Sequence, residues 1–383
     1  MRAMTPIDLP TPLLGGLSPA QFMRRCWQRQ PLLVRGAVPD VQPLLARQAL
    51  FALAARDDVE SRLVRRDGER WSLRRGPLPR RALPPLSAPH WTLLVQGLDL
   101  HVPAAHALLS RFRFVPDARL DDLMLSYASD GGGVGPHTDA YDVFLLQTSG
   151  QRRWRFAPCP RPVWRDDVPL KMLARMPARA RTCVLGPGDL LYLPPGWAHE
   201  GTAVGGGCTT ASIGFRAPSR DELAGALLER LADEPIDERS PRYTDRHQRA
   251  AHQPAAVPPA LRAFAQAAVR RRVSLGRAVD RALGEWLTEP KPQVWFEAEA
   301  QARLDPRRGV VLDRRTRMAY IEREVFINGE SLSAGGRDAV LVKRLADARR
   351  LAADELRGAS AQARAQIAQW LAAGWLHVDG GDE

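Results

Sequence analysis

The chain has 383 residues, enough for two or three domains with cores of their own, and its 45% hydrophobic and 26% charged content is ordinary for a globular protein. No apolar run approaches the roughly 20 residues of a membrane span, and the opening MRAMTPIDLPTPLLGG lacks the apolar centre of a signal peptide. Net charge is +12, with 52 of the 55 basic residues arginine, and four scattered cysteines (Cys26, Cys159, Cys183, Cys208) show neither metal nor disulfide spacing, which predicts a reducing cytoplasm.

Taken in chain order, SPAQFMRRCWQRQ (18–30) predicts a short helix capped by Ser18, and LLVRG (32–36) a strand. SRLVRRDGERWSLRRG (61–76) reads as a hairpin turning at Asp67-Gly68, and WTLLVQGLDL (91–100) suits either a strand or a short helix. From 120 to 216 the pattern is all β: LDDLMLSYAS, DAYDVFLLQ, a Ser149-Gly150 turn, QRRWRFA, RTCVLG, GDLLYLP and TASIGFR. Short strands punctuated by Gly and Pro predict a sandwich or barrel.

After Phe215 the pattern turns helical, with Ser219 and Glu222 as a capping box. A polar stretch (234–259) interrupts it before helical spacing resumes over 261–287, and Pro290 and Pro292 mark a boundary. Beyond it come strand-like segments with an Asn328-Gly329 hairpin turn, two amphipathic helices (about 337–354 and 359–373) and a final WLHV, a winged-helix-like mix. The boundaries expected are thus 1–218, 219–289 and 290–383. Residues 1–216 carry 28 basic against 18 acidic side chains, net +10, and the remainder 27 against 25, net +2. Any electrostatic partner, an RNA-rich one included, therefore belongs to the first part.

The chemistry concentrates between Gly131 and His199. His137 and Asp139 stand two apart at the mouth of a strand, where i and i+2 share a face. GDLLYLPPGWAH (188–199) ends a strand at Leu193 and turns through Pro194-Pro195-Gly196, which swings His199 back toward the barrel mouth and matches the cupin spacing. Two imidazoles and one carboxylate form the facial triad associated with non-haem Fe(II) oxygenases; Mn(II) or Co(II) would fit the same donors. Such sites usually take 2-oxoglutarate, whose far carboxylate suits a guanidinium. Alternation along QRRWRF puts Arg152 on one face with Trp154 and Phe156, so Arg152 is the inward candidate. The run Gly131–Gly135 lacks the Lys-Ser/Thr of a phosphate loop and reads as an approach loop to the metal. Asp142 is left open between a structural and a functional part.

DDLMLSYAS, GGGVGPHTDAYDVFLLQ, GQRRWRF, GDLLYLPPGWAHEG and SIGFRAPSRDEL together resemble the bacterial JmjC-domain ribosomal oxygenases, as do WQRQPLLVRGA, SRLV and WTLLVQGLD. The likeness covers about 200 residues well and the tail in outline. It implies an α+β chain: a double-stranded β-helix (JmjC/cupin) catalytic barrel, a helical dimerisation segment and a winged-helix-like C-terminal domain. It implies Fe(II) on His137, Asp139 and His199, 2-oxoglutarate on Arg152 with Ser126 as a second polar contact, O₂ as oxidant, and a homodimer. The implied substrate is an arginine of the sixteenth large-subunit ribosomal protein, hydroxylated at Cβ. The chain departs from the family at Thr210, where relatives carry asparagine, after a Gly-rich loop (Gly205–Gly207) one residue longer; its hydroxyl can still donate a hydrogen bond, and Thr210 is expected to join Arg152 and Ser126 in binding 2-oxoglutarate. Asp130 and Ser212 are positioned to meet a substrate guanidinium.

Two rival readings stay open. The same oxygenase chemistry could act on another ribosomal or RNA-associated protein, for instance on a histidine. Alternatively the winged module regulates nucleic acid with the cupin as sensor, although its near-neutral charge argues against direct DNA binding.

Overall fold

The computed structural model describes residues 6–233, 240–244, 257–273, 276–299, 302–305 and 307–380. The chain divides into two compact units, Met1–Ala217 and Pro218–Glu383.

In the first unit, Ser18 accepts from the backbone N–H of Gln21, whose side chain returns the bond, and so caps helix α1 (Pro19–Arg25). Helices α2 (Arg47–Leu53), α3 (Leu98–His101) and α4 (Pro103–Leu109) join it over one nine-stranded sheet. The strands are β1 (Leu32–Val34), β2 (Ser61–Asp67), β3 (Arg70–Arg75), β4 (Trp91–Val95), β5 (Leu120–Ala128), β6 (Val143–Pro158), β7 (Arg181–Leu185), β8 (Leu190–Leu193) and β9 (Trp197–Phe215). They run in the order β1-β8-β6-β9-β5-β4-β2-β3, with β7 also on β6. The ambiguous 91–100 segment resolves into both alternatives, a strand and then a short helix. In the β2–β3 hairpin Asp67 still pairs with Arg70, so the turn is Gly68-Glu69, one residue later than read, with Gly68 at φ +58°.

The larger correction concerns Ser149-Gly150. No hairpin turns there: β6 continues through it, paired with β9 along its length, and the register slips between Gln147 and Gln151. Gly150, at φ +64° and against the backbone of Cys208, makes this a bulge. The slip changes which side chains face inward. Before it, Phe144 and Leu146 pack on the helical side of the sheet while Val143 and Leu145 face the barrel interior. After it, even-numbered Trp154 and Phe156 join Val143 and Leu145. The Gly205–Gly207 run is likewise part of β9, bulging opposite Gly150.

The second unit begins with α5 (Arg220–Asp233), where the Ser219 and Glu222 capping box is present. Helices α6 (Pro259–Val273) and α7 (Gly276–Thr288) follow; most of the polar stretch expected at 234–259 lies outside the described residues. A three-stranded sheet of β11 (Met318–Ile321), β12 (Glu324–Ile327) and β13 (Glu330–Ser333) turns through Asn328 and Gly329, both at positive φ, as a two-residue hairpin demands. A second sheet joins β10 (Val310–Leu312), β14 (Arg350–Leu351) and β15 (Leu376–Val378). Helix α8 (Gly336–Ala348) stops six residues short of the expected 354, because Arg349 adopts φ +58° and the chain re-enters a strand. The short α9 (Ala353–Arg357) and α10 (Ala361–Ala372) complete a core around Ile367, Trp370 and Leu371.

Candidate active site

His137 and His199 meet as an isolated antiparallel bridge in which each backbone N–H donates to the other's carbonyl, at 3.0 and 2.8 Å. Residues directly opposite in such a bridge project the same way, and the two imidazole centroids lie 4.2 Å apart. The Gly196 N–H donates to the Asp139 carbonyl, which ties the carboxylate's backbone to the Pro-Pro-Gly turn. Gly133 runs so close to β9 that a Cβ there would lie 2.5 Å from the Gly201 carbonyl oxygen, so the glycine loop lets the two backbones touch.

Ligand atoms of His137, Asp139 and His199 fall within 4.8 Å of one another. Each imidazole places Nδ1 3.0 Å from a backbone carbonyl, Gly135 for His137 and Trp197 for His199. A carbonyl can only accept, so each Nδ1 carries the proton and each Nε2 presents a lone pair. Those Nε2 atoms stand 4.0 and 3.5 Å from Asp139 Oδ2. Burial, reinforced by the neighbouring His137, pushes His199 down to about 4, which keeps it neutral near pH 7. Two imidazole nitrogens and a carboxylate, with carbonyls holding the rings from behind, suit a divalent transition metal with positions left open.

The same cavity, of about 330 Å³, holds a second charge centre. The β6 bulge turns Arg152 inward beside Trp154, with its guanidinium carbon 5.7 Å from the indole centroid. Arg152 is 5% exposed; its Nε donates to Cys208 Sγ at 3.5 Å, and among the described residues its Nη2 has no hydrogen-bond partner. A buried guanidinium without a carboxylate is costly, and an anionic ligand in the cavity would relieve it. Ser126 also lines the cavity, donating weakly to the Thr210 carbonyl at 3.3 Å. Thr210 does not line it, since its hydroxyl donates to Gln147 Oε1 at 2.9 Å. Ser212 lines the wall, whereas Asp130 lies outside it and accepts from the Gly205 N–H. Asp142 is structural: fully buried, it accepts from the Tyr192 hydroxyl at 2.6 Å and from the Gln28 amide at 3.0 Å.

Sequence reading passed over three residues here. Gln147, buried, spans Thr210, the Ser149 carbonyl and Cys208 and so braces the cavity floor. Gly201 leaves room for Arg152 and Trp154, whose atoms lie 2.7–2.9 Å from where its Cβ would be. Tyr141 lines the mouth, its phenol held above its usual pKa by burial and by the carboxylates of Asp139 and Asp122. All three lie inside the runs that carry the family resemblance, but only contacts between distant strands reveal what each does.

A model of the JmjC domain matches residues 107–223, which hold the triad, Arg152 and the cavity floor. The first unit has the JmjC cupin fold. A ROXA-like winged-helix model matches residues 272–377. The resemblance to the ribosomal oxygenases therefore stands, as do the JmjC barrel and the winged-helix C-terminal part expected from it. Among curated proteins, the chain is 37% identical over 216 residues to the ribosomal protein uL16 3-hydroxylase of Escherichia coli K12, covering 54% of this chain and 55% of that protein. It is 34% identical over 230 residues to a probable ribosomal oxygenase of Haemophilus influenzae, covering 59% and 56%. These alignments thus span about half the length of either relative. The structural likeness extends further: the X-ray structure of E. coli YcfD superimposes with TM-score 0.82 over 94% of this chain and 98% of that one at 27% identity. A structure of YcfD, described as a ribosomal oxygenase in complex with cobalt and 2-oxoglutarate, gives 0.80 over 95% and 99% at 26% identity.

Proposed function

We propose that this chain is a 2-oxoglutarate- and Fe(II)-dependent protein hydroxylase, acting on Cβ of an arginine in ribosomal protein uL16. The observation that carries the reading is Arg152, a buried guanidinium with an unpartnered Nη2, in the same cavity as two histidines whose Nε2 lone pairs converge on a carboxylate. The named activity of the E. coli relative and the cobalt and 2-oxoglutarate bound by YcfD support it.

His137, Asp139 and His199 would hold the metal, and Arg152 the distal carboxylate of 2-oxoglutarate, with Ser126 beside it and Thr210 bracing the floor through Gln147. When bound, the iron supplies the activation of O₂ coupled to decarboxylation of 2-oxoglutarate. The chain's own residues orient and exclude. Carbonyl-bound Nδ1 protons fix both rings, and Trp154, Val143 and Leu145 keep the anion end apolar and dry. Ser212 and the Tyr141 phenol remain to meet the incoming side chain.

The dimer belongs to the same proposal. Helix α6 exposes Leu261, Phe264, Val269 and Val273, an apolar set that a second copy would cover. Among the described residues no helix is long and apolar enough to cross a membrane. That, four free thiols and a ribosomal substrate support a cytoplasmic setting.

The test is mass spectrometry of a uL16 peptide incubated with enzyme, Fe(II) and 2-oxoglutarate, with His137→Ala as control. One oxygen gained on arginine, and absent in the control, is the expected result. Metal-dependent succinate without a modified peptide would keep the chemistry and refute the substrate.

A further inference from the structure

Positive charge is unevenly spread over the JmjC unit. Residues 61–81 hold eight arginines against Asp67 and Glu69, a net of +6 within the +10 of residues 1–216. They fold as the β2–β3 hairpin and the segment after it, and among the described residues β3 pairs only with β2, so this ribbon is one edge of the sheet. Its register puts Arg66 and Arg75 on one face, and Arg65, Arg70 and Arg74 on the other. All five are exposed. Among the described residues no carboxylate lies within 4 Å of any of these five guanidinium groups. Arg35, Arg113 and Arg155, elsewhere on the unit, sit on Asp189, Asp117 and Glu200.

One or two charges are enough to deter strand addition at an edge. Five, on both faces of a two-stranded ribbon, answer a different need. An acidic peptide would engage one face and leave the other solvated. A groove walled by two phosphate backbones engages both; the major groove of B-form DNA admits a two-stranded ribbon, and the deep, narrow major groove of RNA would do so where a bulge or loop widens it. Guanidinium groups grip phosphate oxygens bidentately. We propose that the β2–β3 hairpin is a docking arm for the phosphate backbone of structured RNA. The choice of RNA rests on the reading of the substrate as a ribosomal protein, whose ordinary surroundings are RNA. The arm is also well placed, because Arg62, Val64 and Leu73 at its base line the active-site cavity. RNA held along the ribbon would bring an attached polypeptide to the cavity mouth and raise its local concentration there.

The experiment uses the full chain and a fluorescein-labelled RNA stem-loop with an internal bulge, followed by anisotropy between about 50 and 200 mM salt. The triple variant Arg65→Gln/Arg70→Gln/Arg74→Gln, none of which lines the cavity, should weaken binding at least about 10-fold at low salt. It should also flatten the log–log salt dependence by about 2 to 3 units. A control triple that removes equal charge from another exposed region, Arg24→Gln/Arg25→Gln/Arg47→Gln, should change affinity no more than about 3-fold. Equal losses from both triples would mean a diffuse field and overturn the arm. Polyglutamate or duplex DNA competing as well as RNA would overturn the choice of partner. Hydroxylation of a free peptide by the hairpin triple should stay at the wild-type rate, and it separates the two readings. An enzyme that modifies peptide but does not bind RNA loses the arm and keeps its activity. One that binds RNA through the hairpin and modifies nothing keeps the arm and loses the proposed substrate.

Discussion

Arg152, which we propose holds 2-oxoglutarate, sits where a cation is unfavourable for stability. Its guanidinium is buried with Cys208 Sγ as its hydrogen-bond acceptor, and a buried cation without a counter-charge is costly, so an apolar residue of similar length carries less penalty in the ligand-free cavity. Arg152→Met should therefore raise the melting temperature of the ligand-free protein while abolishing the shift that 2-oxoglutarate produces in the wild type. A lower melting temperature would show that Arg152 is structural. Gly201→Ala tests the same site from the opposite strand. The new methyl would lie 2.7–2.9 Å from Trp154 and Arg152 atoms, so both must move. The half-saturating 2-oxoglutarate concentration should rise by about 10-fold or more, equivalent to roughly 1.4 kcal/mol, with metal affinity little changed. At this scale the triad was legible because each half lies within a short run of sequence. Arg152 was legible because its neighbours Trp154 and Phe156 are aromatic. Gln147 and Gly201 were not, because their meaning lies in contacts with β9 and β6 respectively.

Among the elements, the Asn328-Gly329 hairpin, the β2–β3 hairpin to within one residue of its turn, and the caps at Ser18 and Ser219 were readable, since their chemistry is local, whereas the Glu322-Arg323 turn between β11 and β12 was not. Ser149-Gly150 was misread for an instructive reason. Glycine at positive φ serves a turn and a bulge equally well, and only the pairing of β6 with β9 on both sides decides between them. The end of α8 at Ala348 escaped too, because a non-glycine residue, Arg349, takes the left-handed conformation there. A packing test belongs to α7, where Gly284 lies against the ring of buried Phe326 on β12 so closely that any Cβ would overlap it. Helix propensity alone favours Gly284→Ala by about 1 kcal/mol. Overpacking costs about 1–3 kcal/mol and should win, so urea unfolding should show a net loss of stability. A gain would mean that α7 and β12 separate easily.

Across the molecule, each unit has its own largest hydrophobic core, one built on Phe22, Phe144 and Tyr192 and the other on Ile367, Trp370 and Leu345. The second contains Asp313 as a polar anchor. Burial would raise its pKa, but hydrogen bonds from His377 and Arg315 outweigh that and hold it well below the usual carboxylate range. A depressed folded pKa contributes stability that is fully present above the unfolded value of about 3.9 and is lost as pH falls through the folded value. Asp313→Asn should therefore cost about 2 kcal/mol near neutrality, with the gap to wild type closing below about pH 4 in acid-unfolding curves. A gap independent of pH would assign the loss to packing. The bulge in β6 reaches furthest of all, into how such a chain can vary. Because it sets odd against even along the strand, losing Gly150 would carry Arg152, Trp154 and Phe156 outward and bring Arg153 and Arg155 in. Descendants of this sequence can thus gain or lose residues between Gln151 and Phe156 only in pairs, whereas the Gly205–Gly207 excursion, already out of step with its partner, is free to change length one residue at a time.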